Sequence, residues 1–347
     1  MSLKETIKKE WLFWLSFSLF LLSSSVLGRF PDFSLDELEV LFLLSTLFVT
    51  IKGLELSGFL EAMALRFEKG ALAGLKLVAG TFALALFVTN DVALAVMVPM
   101  TLAMQIQRKD LLVIMEAIAA NSAALFPFSN PQNLYIYWHY HLDVWTFVEA
   151  IAPFVLFFLI VVLVIAVSIK AKTSQRSRTI SVSREAWHFL AFFFLIVLSI
   201  FKVVPLFVAG LVLFYALVLY PRALCIDYFL LATFFFFFGI SDNFQYAFAK
   251  ELANPHHVFL SSVALSQLIS NVPAAIVMAD FTSHWREVLW GVNVGGFGVL
   301  WGSLANLIAF KLYTQKYQNK TFLPKFLLFN FIALGFGVGL FFFLMAS

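Results

Sequence analysis

Long apolar runs, rather than alternation, organise this chain. At about 20 apolar residues per bilayer crossing, spanning helices are predicted near 11–28, 36–53, 110–139, 147–170, 186–203, 205–221, 224–241, 286–312 and 325–346. A membrane barrel would show short alternating segments instead, so the expected elements are helices. Two further apolar runs, 71–106 and 257–282, are broken near their middles by polar clusters built on asparagine: "VTNDVA" at 88–93 and "ISNVPA" at 269–274. An unpaired polar group at membrane depth costs on the order of several kcal/mol. These clusters are therefore read as the tips of two re-entrant hairpins, each entering and leaving on one face.

Charge supports that reading. With the N-terminus inside, the cytoplasmic set holds Lys4, Lys8, Lys9, Lys52, Arg66, Lys69, Arg108, Lys109, Lys170, Lys172, Arg176, Arg178, Arg184, Arg222, Lys311, Lys316, Lys320 and Lys325. Only Arg29, Lys202, Lys250 and Arg286 fall outside, with Lys76 unassigned. Letting either hairpin cross the membrane would invert every later loop and erase much of this positive-inside bias. The basic, Ser-rich stretch 170–185 reads as a cytoplasmic tether that also suits anionic lipid. The segment Trp11 to Leu27 resembles a secretory signal, but its length and the lack of a small-residue cleavage site favour a retained helix.

Composition agrees: 62% of the 347 residues are hydrophobic, 12% are charged, mean hydropathy is +0.94, and there are 44 phenylalanines. The single cysteine, Cys225, excludes an intramolecular disulfide and a cysteine metal cluster. The expected fold is an all-α polytopic membrane protein, one integral domain with about nine spanning helices and two re-entrant hairpins.

The chain also repeats itself. "FLLSTLFVTIKG" (42–53) is similar to "FLLATFFFFFGI" (229–240), and each precedes an amphipathic stretch, an Asn-bearing hairpin and a long interrupted helix. In the interrupted helices Asn121 pairs with Asn293 and Asn133 with Asn306. The halves fall at 36–170 and 224–346, with linker and connecting helices at 171–223. Five crossings separate equivalent points, so the repeats are expected to be inverted. Inverted repeats with broken helices mark secondary transporters, whose sites lie near the midplane at the repeat interface.

Candidate chemistry concentrates at the two tips and the two breaks. Where half-helices meet, free N–H groups and carbonyls supply anion- and cation-friendly ends without a formal charge. Thr89, Asn90 and Asp91 at the first tip can cap these ends or complete an ion's oxygen shell. An intramembrane carboxylate is a functional candidate by default, and Asp91 suits Na+ binding or proton carriage. The second tip, Ser270-Asn271-Val272-Pro273, has no acid. In "PFSNPQN" (127–133), Pro127 and Pro131 predict an unwound stretch that frees Ser129, Asn130, Gln132 and Asn133. In "GVNVGGFG" (291–298), Asn293 is followed by Gly295, Gly296 and Gly298, which allow either close backbone approach to a ligand or tight helix packing. His139 and His141 read as part of an interfacial aromatic belt, and His256-His257 have no metal-like partner spacing. Glu116 reads as a relay acid or an interfacial one; Lys76, Asp227 and Asp280 read as groups near helix ends that reach the interface.

"FVTNDVALAVMVPMTLA", "SNPQN" and "SQLISNVPAAIVMADF", with "GVNVGGFGVLWGSLANLIAFKLY", resemble the ion transporter superfamily, specifically its citrate-transporter-like domain. That group includes divalent anion/sodium symporters, arsenite permeases and sodium/proton antiporters. The resemblance spans roughly 36–345 and implies a homodimer working by an elevator-like motion. The dicarboxylate branch carries Ser-Asn-Thr at each tip; here both tips lack the final Thr, and Asn90-Asp91 is closer to the arsenite and sodium/proton branches.

The expectation is thus an ion-coupled transporter of a small anion or oxyacid, with Na+ or H+ as coupling ion and no other cofactor. It is not an enzyme and not a nucleic-acid binder, and it sits with its lipid in a prokaryotic inner membrane, N-terminus inside. Substrate and ion are expected at Thr89, Asn90, Asp91, Ser129, Asn130, Asn133, Ser270, Asn271, Asn293, Gly295, Gly296 and Asn306, with a Na+ site at Asn90, Asp91 and Asn133. Sodium/proton exchange or arsenite extrusion, with Asp91 titrating, is the alternative.

Overall fold

The computed structural model describes residues 10–67, 72–106, 108–169, 171–172, 180–248, 254–317 and 319–345. Lys4, Lys8, Lys9, Lys69, Lys170, Arg176, Arg178 and Lys250, with most of the basic tether, lie outside the described residues. Among those described the fold is helical, apart from a two-residue antiparallel pairing of Gln105–Ile106 with Ala171–Lys172.

The first half comprises α1 (Trp11–Leu27), α2 (Leu35–Leu56), α3 (Phe59–Ala64), α4 (Ala73–Phe87), α5 (Asn90–Ala103), α6 (Lys109–Ser122), α7 (Pro131–His139) and α8 (Val144–Val167). The second continues with α9 (Glu185–Ile200), α10 (Leu211–Leu219), α11 (Tyr228–Phe248), α12 (Pro255–Ile269), α13 (Asn271–Ala279), α14 (Trp285–Gly295), α15 (Leu304–Lys316) and α16 (Phe322–Met345). Both runs expected to turn back do so: α4 and α5 meet at Val88-Thr89, and α12 and α13 meet at Ser270. The spans predicted at 110–139 and 286–312 are each two half-helices with a short 3-10 turn between, Pro127–Ser129 in one and Leu300–Gly302 in the other.

Helix α11 runs beyond the predicted end at 241. Asn243 on that extension donates from Nδ2 to Ser23 Oγ at 3.0 Å and Ser24 Oγ at 3.1 Å, so α1 takes up its amide protons. The predicted span 205–221 is interrupted instead, with a 3-10 segment Leu206–Gly210 before α10.

Helix α8 has the strongest lipid signature. Leu156, Ile160 and Val164 recur every fourth residue and are more than half exposed, whereas Phe154, Phe158 and Val162 are buried. An apolar outer stripe of this kind suits hydrocarbon rather than water.

Packing follows the repeat. Each first hairpin arm packs on the first half of its own broken helix, α4 on α6 and α12 on α14. Each second arm packs across, α5 on α15 and α13 on α7. This crossed arrangement brings both tips and both breaks to the middle of the molecule.

Candidate functional site

At the first tip Val88 and Thr89 are extended, and Asn90 opens α5. The Thr89 side chain does not cap that helix; it is 1% exposed, and its hydroxyl has no hydrogen-bond partner of normal geometry. At the second tip Ser270 alone separates the arms, at φ +79°, and its side chain does not cap α13 either. A non-glycine residue in that region stores about 1–3 kcal/mol of strain. Ser270 is held there by backbone bonds on both sides, its N–H to Ser266 O and its carbonyl from Ala274 N–H, each at 3.1 Å. Capping is therefore not what these two polar residues are for.

Four asparagines knit the breaks together. Asn121 on α6 donates to Asn306 Oδ1 on α15 at 2.8 Å, and Asn293 on α14 donates to Asn133 Oδ1 on α7 at 2.8 Å. Asn133 in turn donates to Ala124 O at 3.1 Å, and Asn306 to Gly296 O at 2.9 Å. Asn121 to Ala124 and Asn293 to Gly296 are the same three-residue step, so the two bond sets correspond atom for atom. Backbone angles match too: Asn130, before α7, has φ −146° and ψ 146°, and Ser303, before α15, has φ −145° and ψ 143°.

The match fails in one respect. Ser303 Oγ donates to Asn121 Oδ1 at 2.7 Å and accepts from Ala305 N. Asn130 is 1% exposed, and neither atom of its amide has a partner. Buried polar groups are almost always paired, so this primary amide at a helix break stands out as a candidate functional group.

A cavity of ≈ 120 Å³, measured at the centres of water-sized guests, lies between the tips. Asn90, Asp91, Ser270 and Asn271 line it from the hairpins, Gln132 and Ser303 from the breaks, and Glu10 and Asp227 from the positions just before α1 and α11. At about 10–15 Å³ per water on this measure, it holds several waters or one small polyatomic solute. Its ionisable lining among the described residues is acidic: Glu10, Asp91 and Asp227. A second cavity on the far side of Asp91, ≈ 160 Å³, shares Asp91 and Asp227 and adds Thr89, Lys52 and Glu55. Asp91, half-buried, therefore faces both spaces.

Several expected site residues are elsewhere. Asn133 was expected with Asn90 and Asp91 around a cation, but both ends of its amide are engaged, by Asn293 and Ala124, and it does not line the cavity. Asn293 and Asn306 likewise brace the breaks, and Ser129 Oγ returns to Phe126 O at 2.7 Å. A Cβ on Gly295 would stand 2.5 Å from Ser266 Cβ, so this glycine lets α14 press against α12. Gly296 meets the second tip, where a Cβ would lie 3.2 Å from Asn271 Nδ2. Gly298, at φ +91°, makes the turn itself.

Asn90 is the direct tip-to-break link, its Nδ2 donating to Asn121 Oδ1 at 3.0 Å. Glu116 is buried, at 0% exposure, and its Oε1 accepts from Thr101 at 2.6 Å and Thr81 at 3.4 Å, one on each arm of the first hairpin. His139 packs between Tyr135 and Tyr140 and stands 3.9 Å from Asp280.

Two residues were missed by the sequence reasoning. Asp227, set aside as a helix-end group, lines both cavities. Gln267, on the arm before the second tip, donates from Nε2 to Gly295 O at 2.6 Å and Phe297 O at 3.0 Å and accepts from Val299 N at 3.0 Å. Its spacing, four residues before Asn271, was the available signal.

Comparison with known proteins agrees with the architecture. Residues 18–284 match the citrate transporter family. Over 314 residues the chain is 30% identical to an uncharacterized transporter of Methanocaldococcus jannaschii, covering 87% of this chain and 88% of that one. Over 299 residues it is 31% identical to inner membrane protein YbiR of Escherichia coli, 79% of each chain.

Proposed function

The chain belongs to the citrate transporter family and is a membrane transporter, and from that premise we propose that it is an ion-coupled secondary active transporter of a small anion or oxyacid, working by alternating access. The observation that carries this reading is the meeting of Asn90 and Asp91 with Ser270 and Asn271 around one central cavity. Substrate binds between the tips, against Gln132 and Ser303. The coupling ion, Na+ or H+, binds on the first-tip side, where Asp91 supplies charge and Thr89 and Asn130 supply unpaired polar atoms. Coupling requires the ion to favour the substrate-binding state by about 1–3 kcal/mol. The broken helices contribute neutral dipoles to both partners.

In this reading the protein is an inner-membrane homodimer with its N-terminus in the cytoplasm, and each hairpin moves with its broken helix in an elevator-like step. The bonds from Asn90 to Asn121 and from Gln267 to Gly295 support such paired motion.

The acidic lining favours a second reading, sodium/proton exchange or extrusion of a neutral oxyacid such as arsenious acid. A multiply charged anion beside Asp91 and Asp227 needs its repulsion offset by bound cations, whereas a neutral oxyacid or a cation does not. Uptake into proteoliposomes separates the readings. Sulfate, phosphate, dicarboxylates, citrate, arsenite and Na+ are tested with Na+ and pH gradients applied one at a time. Accumulation of an anion driven by either gradient supports the first; Na+ movement against a proton gradient with no anion requirement supports the second. A channel-like current without counter-ion coupling overturns both.

A further inference from the structure

The two tip-and-break pairs are built alike, yet of the two breaks only the first leaves a buried side-chain amide unclaimed. At the second, a side chain already engages the carbonyls of the unwound segment. The Gln267 amide nitrogen sits 2.6 Å from Gly295 O and 3.0 Å from Phe297 O, so both its protons are spent on carbonyls of the unwound segment. Its oxygen accepts from Val299 N at 3.0 Å, and its own backbone carbonyl accepts from Trp301 Nε1 at 2.8 Å. Asn306 Nδ2 takes Gly296 O at 2.9 Å and Val299 O at 3.4 Å. The second tip closes the cluster, with Ser270 Oγ 3.5 Å from Gly302 O. Carbonyls of an unwound transporter helix are the usual oxygen donors for a small cation, and here a fixed N–H₂ group, carrying partial positive charge, occupies their focus.

The first break has no such group. The position four residues before Asn90, matching Gln267 four before Asn271, is Leu86. Asn130, the counterpart of the fully bonded Ser303, keeps both amide atoms unpaired. The position equivalent to Asp91 is Val272.

We infer that Gln267 is a built-in substitute for a second coupling cation, so that this transporter holds one cation per chain, at the first tip, and its second tip-and-break pair is closed to ions. The inference rests on the cation-coupled reading above but concerns a different set of atoms. An amide hydrogen-bonded to three backbone groups is a neutral replacement for an ion: it neutralises the carbonyl dipoles without adding charge to the moving body. It also holds the second tip to its break whether or not an ion is bound, leaving the first tip as the responsive one.

The test is equilibrium binding of radioactive Na+ to the purified full-length protein in lipid nanodiscs, with Na+-dependent thermal unfolding as a second readout. Wild type is expected to bind no more than one Na+ per chain. Gln267→Glu replaces the donor N–H₂ by an oxygen facing two carbonyls, and above neutral pH it should add one bound Na+ per chain and make unfolding more Na+-dependent. A lost fold alone would not produce that gain.

Two Na+ bound per wild-type chain, or an unchanged count in folded Gln267→Glu, overturns the inference while leaving cation coupling intact. If Gln267→Glu does not fold, the wild-type count decides. If wild-type transport ignores every cation gradient, the coupling proposal falls, and a gain of one Na+ in Gln267→Glu still upholds the role given to Gln267.

Discussion

Asn121 donates its Nδ2 proton to Oδ1 of Asn306 at 2.8 Å, joining the first half of one broken helix to the second half of the other. Asn121 Oδ1 meanwhile accepts from Asn90 at 3.0 Å and Ser303 at 2.7 Å. One buried amide thus holds a hairpin tip and both breaks. Removing it strands Asn306 Oδ1 away from water, which costs more than the bond itself is worth. Asn121→Ala is expected to lower unfolding stability by about 1–3 kcal/mol. Thermal or denaturant unfolding of Asn121→Ala, Asn306→Ala and the double variant checks this, and strictly additive losses would show that the pair is not coupled.

This bond network explains what the sequence made legible. The equivalence of Asn121 with Asn293, and of Asn133 with Asn306, was readable because the two halves repeat the same polar residues in the same order within apolar runs. The hairpins and breaks were readable because asparagine, proline and glycine interrupt helices for local reasons. Which asparagine does what was not readable. Asn130 and Asn133 stand three apart in one motif, yet one is orphaned and the other is fully bonded. Asp227 has a sufficient local role, capping α11 through Leu230 N–H at 3.0 Å. Its place beside Asp91 depends on how α11 packs near the first hairpin, which no local pattern encodes.

Asp91→Asn keeps the size and removes the charge at the junction of the two cavities. It should abolish Na+- or H+-driven uptake in proteoliposomes while leaving expression and unfolding temperature near wild type. Unchanged coupling stoichiometry would end the role assigned to Asp91. Asp227→Asn is a milder companion, because asparagine is as good a helix N-cap as aspartate. A higher half-saturating Na+ concentration with a normal fold would report the lost charge.

Gly298 turns the second break at φ +91°, and a Cβ there would also come 2.9 Å from Leu334 Cδ1 on α16. Gly298→Ala should therefore cost about 1–3 kcal/mol through backbone strain alone, with crowding added. Loss of stability accompanied by loss of transport is expected, whereas Gly335→Ala, with open space around its added Cβ, should be close to neutral. Equal unfolding temperatures for the two variants would contradict the turn's requirement for glycine.

The sharpest separation of scaffold from site lies between Asn130 and Asn133. Both are buried, at 1% and 0% exposure. Asn133 accepts from Asn293 and donates to Ala124 O, so Asn133→Ala leaves a donor and an acceptor unpaired and should destabilise the protein by about 1–3 kcal/mol. Asn130 has no bond to lose, and Asn130→Ala removes an unsatisfied amide from a buried position. Stability should stay within about 0.5 kcal/mol of wild type or rise. If that amide exists to meet the coupling ion or its water, transport must suffer where stability does not. Uptake across a Na+ and pH series, set beside unfolding curves for both variants, reads the two effects apart. A fully active, stable Asn130→Ala would remove this residue from the site, whereas an inactive but stable one would place the coupling ion at the first break.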